Sequence, residues 1–153
     1  IYFTNSDHFV LRNCVFEHNA TLGKGGSMYI AGTEASHMKK RDFFSRITGK
    51  VQKVKLVMSG CQFKESRAEM SGALHTYDAD ISIHNSTFDS CSSRAGGAAI
   101  DTLNCTIDAG DNAFTKCKAA MNSAVVVLGS TKGAAESTIG KFELCEPKNL
   151  MTK

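Results

Sequence analysis

Ile81-Ser-Ile-His-Asn-Ser-Thr-Phe-Asp-Ser-Cys91, followed after three intervening residues by Ala95-Gly-Gly97, is the stretch whose reading decides the fold. Its parts recur along the chain. Phe88 has counterparts at Phe16, Phe63, Phe114 and Phe142, spaced 47, 25, 26 and 28 residues apart. Gly96-Gly97 has counterparts at Gly25-Gly26, Ser71-Gly72 and, in degraded form, Asn122-Ser123. A period in the twenties marks a solenoid, in which one repeat cannot bury its apolar face until a neighbour stacks on it.

Seven and five residues before each phenylalanine stand Phe9 and Leu11, Leu56 and Met58, Ile81 and Ile83, then Ile107 and Ala109. This alternation turns one strand face inward. Three residues before it come Asn13, Gly60, Asn85 and Asp111, residue types that tolerate positive φ and so suit a sharp bend between two short strands. The last copy breaks the pattern with Ile139. A third strand follows each Gly-Gly or its variant: Ser27 to Ala31, Ala73 to Thr76, Ala98 to Asp101 and Ala124 to Leu128. Three short strands per repeat describe an all-β, parallel β-helix of about five coils. A β-sandwich also has short strands between turn residues. Equivalent residues at equivalent offsets argue against it, because parallel stacking explains them and antiparallel hairpins do not.

The 153 residues, 42% of them hydrophobic, suit one domain spanning 1–153. A net charge of +3 falls short of the basic excess of a dedicated nucleic-acid binder, so no nucleic-acid partner is expected. No window reaches the roughly eighteen apolar residues of a membrane span. The opening Ile1-Tyr-Phe-Thr4 is neither an initiator methionine nor a signal peptide, and the reading expects an excised stretch of a longer repeat protein. One proline and thirteen glycines fit strands paired on both sides and turns made by glycine.

The long interval inserts about twenty residues at 32–54. There Lys39, Lys40, Arg41 and Arg46 crowd around Phe43 and Phe44, and a short amphipathic helix over 36–47 is expected. Insertions in solenoids map to loops on one face, often a binding face, and these six residues are the candidate contacts for an anionic protein or glycan. A solvated excursion packed on the outside of the coils is the plainer reading.

The Phe16-Glu-His-Asn19 and Gly96-Gly97-Ala98 motifs resemble the Phe-x-x-Asn and Gly-Gly-Ala-aliphatic repeats of chlamydial polymorphic outer membrane proteins. The resemblance covers nearly the whole chain. It implies a right-handed parallel β-helix used as an extracellular passenger, adhesin or stalk.

Cys14 and Cys61 both lie two residues before a phenylalanine, and Cys91, Cys117 and Cys145 three after. Neighbouring strands about 4.8 Å apart fall within the Cα separation of a disulfide. Cys14 with Cys61, and Cys91 with Cys117 or Cys145, are therefore the available pairs, against the alternative of small buried thiols filling a narrow corner. No Cys-x-x-Cys points to zinc, and no cofactor is expected. Sequons stand at Asn19, Asn85 and Asn104. Asn19 is discounted because its ladder position turns inward, leaving Asn85 and Asn104 as candidate glycosylation sites.

Polysaccharide lyases and glycoside hydrolases also use β-helices, so a carbohydrate-active enzyme is the alternative function, with Asp78, Asp80, Asp101, Asp108 and His75 as the available set. These share no single repeat offset and read as solvated, outward residues. His8, His18, His37 and His84 are scattered, and Gly23-Lys-Gly-Gly26 lacks the rest of a phosphate loop and reads as a turn. Val125-Val-Val-Leu128 reads as a strand buried on both faces near an end that another coil, domain or subunit covers, with Glu143 to Lys153 as a partial cap. The sequence therefore points to a non-catalytic structural or adhesive module, secreted or at the cell surface. Its expected partners are a protein or glycan, or a further copy docked end to end.

Overall fold

The computed structural model describes residues 1–4, 8–32, 53–131, 139–146 and 150–152. Their named elements are all strands: β1 (Tyr2–Thr4), β2 (His8–Arg12), β3 (Val15–Glu17), β4 (Met28–Ala31), β5 (Val54–Ser59), β6 (Gln62–Lys64), β7 (Arg67–Ala68), β8 (Leu74–Tyr77) and β9 (Ala79–His84). They continue with β10 (Thr87–Asp89), β11 (Ser92–Ser93), β12 (Ile100–Gly110), β13 (Asn112–Thr115), β14 (Lys118–Ala119), β15 (Val125–Thr131), β16 (Gly140–Glu143) and β17 (Leu150–Thr152).

Every pairing between these strands is parallel, and each joins a strand to its counterpart one repeat away. A nine-stranded sheet holds β1, β4, β8, β12, β9, β5 and β2 in that order, with β15 and β17 continuing beside β12. A five-stranded sheet runs β16-β13-β10-β6-β3, and a three-stranded one β14-β11-β7. The chain visits the three sheets in turn and makes about three complete turns in which each sheet contributes a strand. It is a parallel β-solenoid. The expected insertion lies outside the described residues except for its ends, Gly32, Lys53 and Val54.

The period-two pattern places the core as the sequence implies. Val54, Leu56 and Met58 of β5 and Ala79, Ile81 and Ile83 of β9 are buried, while the residues between them are not. Phe16, Phe63, Phe88, Phe114 and Phe142 form one continuous ladder, with ring centroids 4.8, 4.9, 4.9 and 4.7 Å apart and neighbouring planes within 9° of parallel. The rung spacing imposes this face-to-face geometry, and each ring's area is removed from water by the ring above and the ring below.

Two columns of left-handed backbone bend each coil. Asn13, Gly60, Asn85 and Asp111, three before the phenylalanines, have φ of 53°, 64°, 51° and 54°. The second column, two after them, holds His18, Glu65, Ser90, Lys116 and Leu144, at φ between 50° and 54°. At Gly60 a Cβ would lie 2.4 Å from Asn13 Oδ1, so glycine there serves the close approach of the neighbouring Asn as well as the bend.

The third-strand column departs from the sequence alignment by one residue. Leu74 pairs with Ile100, and Ile100 with Val125, so Ala99 and not Ala98 is the counterpart of Ala73 and Ala124. The turn between β11 and β12 is one residue longer than its neighbours, and a strand slipped by one would present its opposite face to the core.

The two ends of the stack differ. Val125, Val126 and Val127 are buried, and β17 pairs along β15, so the chain's own last described strand covers this end of the large sheet. At the other end β2 pairs with β5 and β3 with β6, and no further strand lies beyond them among the described residues. Phe9, Leu11, Cys14 and Phe16 pack on the core there but are only partly buried.

Candidate functional site

Each candidate residue takes its environment from its column. Cys14 stacks on Cys61, because Val15 pairs with Gln62. Cys91 stacks on Cys117 and Cys117 on Cys145, as the pairings of Ser92 with Lys118 and of Lys118 with Glu146 require. All six cysteines are thiols. Cys91, Cys117 and Cys145 each place Sγ near two carbonyls, one two residues back and one on the preceding rung: Phe63 O at 3.8 Å, Phe88 O at 3.4 Å and Phe114 O at 3.3 Å respectively. In the same column Ser66 Oγ lies 2.6 Å from Ser27 Oγ, to which Asn19 donates at 3.2 Å. The Asn19 side chain is therefore turned inward, as its ladder position predicts.

Contact with Cys145 lowers the Cys117 pKa, but contact with Cys91 and burial push it up to about 12. Contact with Cys117, then burial, raises Cys145. Thiols this hard to ionise, packed among carbonyls and phenyl rings, are poor nucleophiles and fill the corner. Cys105 is also buried, which raises its pKa, and its Sγ lies 3.4 Å from Thr76 Oγ1.

The column two before the phenylalanines contains a polar strap that sequence reasoning missed. Asn112, which is buried, donates from Nδ2 to Ile83 O and to Ile139 O, each at 2.9 Å, and accepts the Ser86 amide at 2.9 Å. One side chain thus links the rungs on either side of its own. The signal available was an Asn in the same column as Cys61 and Ser86, which spacing alone does not distinguish from a surface turn.

Of the sequons, Asn85 is exposed at its bend, with Thr87 exposed beside it. Asn104, also in left-handed backbone, donates through Nδ2 to Asp78 Oδ1. Lys39, Lys40, Arg41, Phe43, Phe44 and Arg46 lie outside the described residues.

The carboxylates correct the expectation of a uniformly solvated set. Asp80 and Asp108 are partly exposed and face Lys53 at 3.7 Å and His84 at 3.9 Å. Asp78 and Asp101 are buried. Register also places Asp101 directly beside His75, a column the phenylalanine offsets did not show because the two belong to the third strand. His75 Nδ1 lies 3.7 Å from Asp101 Oδ2, within ion-pair reach but beyond a hydrogen bond, and neither ring nitrogen has a hydrogen-bond partner among the described residues. Tyr29 stacks on His75 at 5.5 Å and Tyr2 on Tyr29 at 5.0 Å, and burial raises the Tyr29 pKa. Each carboxylate of the set thus faces a different partner on a neighbouring rung. Among the described residues no group of three or more His, Cys, Asp or Glu is placed to hold a metal ion.

Fold and columns together define the chain as a parallel β-solenoid with a phenylalanine spine and two cysteine columns. Comparison with protein-family models, characterised proteins and solved structures found no match.

Proposed function

We propose that this chain is a non-catalytic structural or adhesive module, secreted or carried at the cell surface. In this reading it is a right-handed β-helix within a larger surface protein or filament, of the kind that polymorphic outer membrane protein repeats build. The observation that carries it is the unbroken spine of five stacked phenylalanines. Such a stack resists bending because every rung is bonded to the next along its backbone, and reach and stiffness are what a stalk or passenger requires. Adhesion is assigned to the basic insertion, with Lys39, Lys40, Arg41 and Arg46 meeting an anionic protein or glycan and Phe43 and Phe44 supplying apolar contact. An N-linked glycan at Asn85 is compatible with its exposure.

The test pairs location with binding. An antibody raised against the 153-residue chain should label intact cells of the source organism. Beads carrying the chain should capture an anionic glycan such as heparin, and the fourfold alanine variant of Lys39, Lys40, Arg41 and Arg46 should lose most of that capture. Labelling seen after permeabilisation alone overturns the surface assignment, and equal capture by the variant overturns the adhesive one.

A further inference from the structure

The two cysteine columns differ in one respect that matters for chemistry. Cys91, Cys117 and Cys145 are enclosed, with at most 1% of each exposed. Cys14 is half-buried on the rung of β2 and β3, beyond which no further strand lies among the described residues, while Cys61, one rung inward, is fully buried. The register stacks Cys14 on Cys61, and burial is the largest cause of the raised pKa of Cys61. Cys61 Sγ also leans toward the Cys14 rung, lying 3.7 Å from Leu11 O, and Cys14 Sγ rests 3.4 Å from Arg12 O. Both side chains leave the backbone at a bend between two strands, where the separation of adjacent rungs, about 4.8 Å, lies within the range a disulfide spans.

We propose that Cys14 and Cys61 are the pair this solenoid oxidises, forming a disulfide across its first two rungs with a small-molecule disulfide such as oxidised glutathione as the oxidant. The Cys14 thiolate attacks one sulfur of oxidised glutathione, forming a mixed disulfide and releasing one glutathione thiolate. Cys61, deprotonated as the local backbone opens, then attacks the Cys14 sulfur and expels the second glutathione. Two protein thiols are oxidised, one glutathione disulfide is reduced to two thiols, and the two protons pass to the departing thiolates. The enclosed column does not compete, since no thiol in it is open to the oxidant as Cys14 is.

This inference rests on the oxidising, extracellular location proposed above, but its test does not. The purified, reduced 153-residue chain is incubated with oxidised glutathione and its peptides are mapped without reductant. The expected product has lost two hydrogens and carries one cross-linked peptide pair containing Cys14 and Cys61. Cys14→Ser should slow loss of the first thiol by at least about tenfold. Cys61→Ser should stop at a glutathione adduct on Cys14, and Cys117→Ser should oxidise as the parent does. A cross-link involving Cys91, Cys117 or Cys145, or a parent protein that accumulates the Cys14 adduct without closing, overturns the proposal.

Discussion

Truncating a phenylalanine at different heights in the spine should have costs that depend on the number of neighbours it loses. Phe88 has no exposed surface and is stacked on both faces, by Phe63 at 4.9 Å and 2° and by Phe114 at 4.9 Å and 7°. Phe88→Ala removes a fully buried ring and leaves a cavity between two rungs whose backbones are pinned on either side, so collapse is resisted. Such a change costs about 3–5 kcal/mol, and loss of two ring contacts places it toward the upper end. Among the described residues Phe16 has one stacked neighbour, at 4.8 Å, and it is partly open to water, so Phe16→Ala forfeits about half as much, roughly 2 kcal/mol. The difference, about 2 kcal/mol, is close to thirtyfold in the unfolding equilibrium. Urea titrations of parent, Phe16→Ala and Phe88→Ala, followed by far-UV circular dichroism and extrapolated at a common slope, measure it directly. Equal costs for the two variants would refute the argument, because position in the stack would then carry no energetic weight.

Three further outcomes follow from other columns. Lys116 is exposed at φ 52°, so Lys116→Gly should raise stability by up to about 1 kcal/mol in the same titration, where an ordinary exposed strand position would lose by the change. Asn112→Ala should cost about 2–4 kcal/mol, since the Ser86 amide and the Ile83 and Ile139 carbonyls lose a buried partner together. The Lys64 ammonium holds Glu17, and the Arg94 guanidinium holds Glu69, below the ordinary carboxylate value of 4.5. The stability these depressed groups contribute is present above that value and is lost as pH falls through their folded values, so the double variant Glu17→Gln, Glu69→Gln should flatten the acid limb of a pH–melting-temperature curve.

The inward strand faces and the phenylalanine spine were legible because both depend on side-chain type repeated at a fixed offset. The first bend column was legible for the same reason: Asn, Gly and Asp announce left-handed backbone. The second was not, because His18, Glu65, Ser90, Lys116 and Leu144 share no conformational preference, and their backbone is imposed by rungs above and below that already bend there. The third-strand register failed for a related reason. Gly96-Gly97 looks like Gly25-Gly26, but one additional residue in that turn moves the pairing along by one, and turn length is read from ladders between rungs and not from dipeptides. The approach of His75 to Asp101 was hidden by the same slip.

The rung of β2 and β3, the last at its end among the described residues, and the Cys14–Cys61 column together bear on where this solenoid is weakest. Stability in a stack of repeats is a sum of interfaces between neighbours, and among the described residues β2 and β3 have one such interface where interior strands have two. Local opening should therefore begin at this end, and the bend at Cys14 is where a bond to the next rung would resist it most. Joining residues 14 and 61 closes a loop of about 47 residues, which on the chain-entropy estimate is worth about 4 kcal/mol, comparable to the whole contribution of one interior phenylalanine. The oxidised chain should melt well above the reduced one, and hydrogen exchange should slow in β2 and β3 far more than in β10 or β13. Protection that rises uniformly along the stack would show that the end rung is not the site of first opening.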